Sequence, residues 1–191
     1  MIVQEKPTPG PDALADAKAQ LRVDGGAEDA AITGLVAAAL GVCEAFVGQM
    51  LLTRGVEESV AASGAWTRLR WTPVRAIVAV TAGGETLLPG SHDIDIDGDG
   101  DGWVRCGGGG LFAPVRPARV RVTYRAGLAE SWAGLPEPLR QGVLRLVWHL
   151  YAERGGQPES PPAAVAALWR PFRRMRIGAE AYGAEAYRAG R

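Results

Sequence analysis

The run Asp93-Ile94-Asp95-Ile96-Asp97-Gly98-Asp99-Gly100-Asp101-Gly102 is the densest set of potential cation ligands in the chain. A calcium loop of the EF-hand kind needs oxygen ligands at its first, third and fifth positions, glycine at the sixth and a bidentate acid at the twelfth. Counted from Asp95, the first three ligands and Gly100 match, but the twelfth position is Cys106. Counted from Asp93, the match ends at Val104. The flanks have β rather than helical texture, and Asp with Gly is also the composition of tight hairpin turns. The run therefore predicts an acidic hairpin tip and no dedicated metal site, with Asp95, Asp97, Asp99 and Asp101 as the ligands should calcium bind.

Other candidate chemistry is thinner. The glycines after Cys106 lack the Lys-Ser/Thr and the helix start of a phosphate loop. His92 and His149, the only histidines, have no serine or cysteine partner at a known triad spacing. Glu57-Glu58 could pair as carboxylates, but an exposed strand end is the reading preferred for them. No catalytic residue and no cofactor site is assigned, and the chain is expected not to be an enzyme.

Trp169-Arg170-Pro171-Phe172-Arg173-Arg174-Met175-Arg176-Ile177 reads differently. Arginines alternate there with aromatic and aliphatic side chains, the residue types that dominate protein interfaces through bidentate pairing and large buried area. The same composition could hold nucleic acid by phosphate contact and stacking. It could also be a terminal helix packed on its own domain. Beyond it, Gly-Ala-Glu-Ala-Tyr occurs twice, at 178–182 and 183–187. A tail with Tyr182, Tyr187 and few aliphatics cannot hold its own core, so it is either disordered or ordered by a partner.

The elements that must position these residues follow from pattern. With 191 residues, 47% of them apolar and 22% charged, the chain has the balance of a globular domain and needs no staple to fold. Two distant cysteines make no disulfide framework and no cysteine zinc site. The apolar stretches read as too short or too interrupted for a membrane span, and the start lacks a secretory core. Cytoplasmic folding is the default.

Helices are predicted over about 11–22, 28–52 and 136–154, with one or two further turns at Ala163 to Leu168. Between them, β-type segments run through Val56 to Ala62, Trp66 to Trp71, Ile77 to Val80, Leu87-Leu88, His92 to Ile96, Trp103 to Cys106 and Arg119 to Tyr124. Trp66, Leu69 and Trp71 do not alternate strictly, so a bulge is expected there, and Pro73 limits its segment to an edge or a strand end. In the last segment Val120, Val122 and Tyr124 face one way and Arg119, Arg121 and Arg125 the other. The fold class expected is mainly α with a small β part (α+β). A helical bundle carries inserted β-hairpins or a small sheet at about 56–125 and ends in an extended C-terminal arm. The division expected is 1–168 for the domain and 169–191 for the arm.

Net charge is zero but unevenly placed. Residues 1–62 hold nine acids against four bases, 85–101 add six acids, and Trp103 onward holds fourteen arginines against six acids. Such polarity suits head-to-tail contact between copies or a basic end meeting an acidic partner.

Taken in order, ALADAKAQLRVDGGAEDAAITGLVAAALGVCEAFVG, WTPVRAIVAV, LPEPLRQGVLRLVWHLYAER and ALWRPFRRMRI resemble the head–tail connector (adaptor) proteins of long-tailed phages and of gene transfer agents. The likeness spans roughly residues 12–177. It implies a structural protein forming a ring of about a dozen copies, joined by heterologous contacts, between the portal and the stopper or tail-completion protein. It also implies that the ring extends the channel for DNA without sequence-specific binding and without a membrane. The protein would assemble in the bacterial cytoplasm and reside in the neck of a virion or virus-like particle. Carried onto this chain, the three helices form the bundle, and Trp169 to Ile177 with the tail form the arm that docks on the portal. The nucleic-acid module and the calcium-binding β module remain the alternatives.

Overall fold

The computed structural model describes residues 2–107, 118–152 and 161–174. The chain divides into two compact units. One comprises Lys6–Leu52 and Leu128–Met175 and is helical; the other is built around Thr53–Gly127, joined by the first residues up to Glu5.

In the helical unit, α1 (Pro11–Leu21), α2 (Asp29–Val47), α3 (Glu137–Ala152) and α4 (Ala163–Trp169) surround one core. Ile32, Val36, Ala39, Leu40, Cys43 and Val47 of α2 are buried against Leu139, Val143, Leu146 and Val147 of α3. Ala13 and Ala17 bring α1 in. Each buried Leu or Ile contributes about 2 kcal/mol, so this interior supplies much of the unit's driving force. By length and composition α2 could cross a membrane, which the sequence reading did not anticipate. One side of its apolar run supplies the core.

Helix α2 stops at Val47, not near residue 52, because Gly48 takes the left-handed conformation at φ +70 and its N–H closes on the Glu44 carbonyl. Met50, Leu51 and Leu52 are buried beyond it, outside the helix. The buried carboxylate of Glu44 accepts the Leu51 N–H at 2.8 Å, satisfying a charge that would otherwise be costly there. Helix α1 likewise ends before the glycines, at Arg22, which itself adopts φ 56.

The β unit holds two antiparallel sheets. The larger has five strands in the order β1 (Ile2–Gln4), β2 (Arg54–Ala61), β8 (Arg119–Ala126), β4 (Val74–Ala82) and β5 (Glu85–Thr86). The smaller has β3 (Thr67–Arg68), β7 (Gly102–Arg105) and β6 (Asp93–Ile96). Strand β8 alternates as its sequence requires: Val120, Val122 and Tyr124 are buried, and Arg119, Arg121 and Arg125 are exposed. Register shifts interrupt β4 between Val74 and Ala76 and between Ile77 and Ala79.

These sheets overturn the expected fold class. The described structure is 38% helical and 27% strand, an α+β mix, and not a mainly α bundle with a small β part. The underestimate has a physical source. Short strands such as β1 and β3 carry no period of their own and gain their pairing from partners distant in sequence.

Candidate functional site

Two places concentrate the chemistry read from the sequence. One is the arginine and aromatic segment after α4; the other is the acidic hairpin between β6 and β7.

Helix α4 starts behind Pro162 and gives way at Arg170–Phe172 to a single tighter turn containing Pro171. Trp169, at the junction, is fully buried. Its indole Nε1–H donates to the Leu139 carbonyl at 3.4 Å, and its ring meets Phe46 at 5.8 Å between centroids. A Cβ on Gly142 would lie 2.1 Å from that Nε1, so α3 carries glycine because the indole occupies the space. The backbone that follows is fastened to the end of α2. Arg174 N–H donates to the Val47 carbonyl at 2.8 Å, and the Gln49 amide donates to the Phe172 carbonyl at 2.6 Å. The Arg173 guanidinium stands 5.7 Å from the Phe46 ring centre, near the C-terminal end of α2, where the helix dipole favours positive charge.

This geometry sorts the expected partner-binding residues. Trp169, read from the sequence as one of the partner-binding residues, is a core residue of its own unit. Arg170 and Arg173 are exposed, and Phe172 and Arg174 are half-buried. Met175, Arg176, Ile177, Tyr182 and Tyr187 lie outside the described residues. A truncation meant to remove only an arm must therefore begin after Arg174, since removing Trp169 takes out part of the core.

The acidic run is a hairpin. Asp97 is its organising residue: Oδ1 accepts the amides of Asp99 at 3.0 Å and Asp101 at 2.9 Å, and Oδ2 accepts the Trp103 indole at 2.9 Å. Asp101 is buried and pairs with Arg68, and Asp93 pairs with Arg105 at 2.8 Å. The glycines have separate duties. Gly100 takes φ +77, and a Cβ there would come within 2.8 Å of Pro73; one on Gly102 would come within 2.8 Å of Val74. The Asp-Gly alternation thus encodes a turn pressed onto Pro73-Val74, where Val74 N–H donates to the Gly100 carbonyl at 2.7 Å. Among the described residues no cluster of three or more metal-ligating side chains is gathered.

Glu57 and Glu58 are not a carboxylate pair, because adjacent strand residues face opposite ways. Glu57 is exposed, with Arg121 at 3.5 Å. Glu58 is buried and accepts the Tyr124 hydroxyl at 2.8 Å and the Arg70 amide at 2.9 Å, tying β2 to β8 and to the chain after β3. On the opposite face of the larger sheet, Arg119 donates to Ser59 Oγ at 3.0 Å and to its carbonyl at 2.6 Å. Arg119, Arg121 and Glu57 line a shallow groove of about 350 Å³ there.

What these places offer are charged and aromatic faces suited to other macromolecules. No family model and no curated protein matches the chain. Solved structures do. One chain from the neck of an empty gene transfer agent particle, computed with C6 symmetry, superposes with a TM-score of 0.73 at 27% identity, covering 93% of this chain and 97% of that one. A chain from the virion of a native gene transfer agent particle gives 0.69 at 28% identity with the same coverage. A chain from the neck of a native particle, computed with C12 symmetry, gives 0.70 at 25%, again over 93% and 97%. The resemblance carried by the sequence therefore holds in three dimensions over nearly the whole chain. The chain is thus similar over nearly its whole length to chains from the neck and virion of gene transfer agent particles.

Proposed function

We propose that the protein is the repeating subunit of a ring in the particle neck, lying between the portal and the stopper or tail-completion protein and extending the channel through which DNA passes. The observation that carries this reading is the nearly full-length match to neck structures computed with C12 and C6 symmetry. Ring closure requires each copy to present two different, complementary surfaces. The acid-rich first third and the arginine-rich last part of the chain suit such contacts.

The work is mechanical and not catalytic on this reading. The segment after α4 is the portal-docking element, with Trp169 as its root and Arg170, Phe172 and Arg173 as its outward side chains. Met175, Arg176, Ile177, Tyr182 and Tyr187 would extend the same contact. The hairpin acids would face DNA without holding it, since like charge lets a duplex slide.

Attachment of this protein to filled heads tests the docking role. Arg170→Ala with Arg173→Ala, and separately removal of 175–191, are expected to leave a folded protein that no longer joins heads. Particles of normal composition from both variants would contradict it. Strong, salt-sensitive DNA binding by the isolated chain would favour the nucleic-acid alternative instead.

A further inference from the structure

Gly34 and Gly41 lie inside α2, where glycine is a poor helix former, and nothing among the described residues of their own chain calls for either. A Cβ built at each meets no atom within 4 Å. Gly142 is the internal contrast, since there the Trp169 indole fills the space. The surroundings of the two glycines are equally unusual. Ala30, Ala31, Ala38, Val42 and Ala45 are also exposed, and no charged residue occurs from Ala30 to Cys43. A helix apolar all round belongs in an interior, yet among the described residues only one side of α2 is covered by its own unit. Positions 34, 38, 41 and 45 fall on one face by helical spacing.

A second observation lies on α3. Trp148 is 53% exposed, a large ring on a helix whose buried face is formed by Leu139, Val143, Leu146 and Val147. Aromatic rings seated in desolvated hollows are the usual anchors of protein interfaces. A projecting ring on one element and a smooth, side-chain-poor face on another are an unlike pair, as a head-to-tail contact in a closed ring requires.

We propose that the outer face of α2 is the subunit interface, and that it receives α3 of the neighbouring copy with Trp148 seated over Gly34, Ala38 and Gly41. The proposal rests on the ring reading. The C12 and C6 symmetry of the matching necks argues for a second copy as the occupant. Glycines at the contact let two helix axes approach to the close end of their usual range.

Cross-linking in purified particles tests the contact. In a Cys106→Ser background, a chain carrying Gly41→Cys and Trp148→Cys is expected to give, on oxidation, a ladder of multimers of this protein. Neither cysteine substitution alone should do so. A missing ladder, or cross-links only to another particle protein, overturns the proposal when the variant is present in the particles. A companion variant, Gly41→Leu, should fold with a melting temperature at or above that of the unaltered chain, because the position is open. Its incorporation into particles should fall about tenfold or more, and normal incorporation would overturn the interface. If the unaltered protein is itself absent from the neck, the ring reading fails, and that result is separate from these.

Discussion

Asp97 illustrates how residue type and residue role part company. Its composition suggested a ligand, but both carboxylate oxygens are spent on two amides and an indole of the same hairpin. Asp97→Ala should therefore lower stability by about 2 kcal/mol, the scale of losing hydrogen bonds to a charged acceptor. Asp99→Ala, on an exposed side chain, should stay within about 0.5 kcal/mol. Thermal unfolding with and without millimolar calcium checks both, and no calcium-dependent rise is expected; one that Asp97→Asn abolished would revive the calcium module. The cysteines separate in the same way. Burial, with Glu44 adding to it, pushes the Cys43 thiol well above its ordinary range, whereas Cys106 is partly exposed. Since only the thiolate attacks, a thiol reagent at mildly alkaline pH should label Cys106 in the folded protein and reach Cys43 only on unfolding. The hairpin was legible in the sequence because Asp and Gly announce turns. The carboxylate of Glu58 was not, since its burial depends on Tyr124, a distant residue on another strand.

Helices α1, α2 and α3 were legible as elements because their apolar residues repeat over several turns, and the β8 alternation was equally plain. Their ends were less so: a left-handed Gly48 closes α2 before the apolar sequence runs out. The extent of sheet was least legible, as β1 and β3 exist only through their partners. Of the candidate docking segment, the residue types were legible but not the division of labour between Trp169 inside and the arginines outside. That division makes an element-level prediction. Trp169→Ala should cost about 3–5 kcal/mol, the range for emptying an aromatic site in a core. Gly142→Ala should cost about 1–3 kcal/mol by forcing the indole aside. Denaturant unfolding measures both, and a near-neutral result for either would mean that α4 is not held to α3 by this indole.

At the scale of the molecule, a chain of zero net charge keeps its acids early and its arginines late, and exposes an apolar helix side and a tryptophan on its helical unit. A monomer has little use for such surfaces, whereas a ring made of identical copies must have unlike faces to close. The neck structures that match this chain carry that symmetry. The most direct measurement is a reconstruction, without imposed symmetry, of the neck of particles that contain this protein. The expected result is a closed ring of about a dozen copies with the segment after α4 against the portal and the channel running through the centre. Copies found singly, or in a ring remote from the portal, would contradict it.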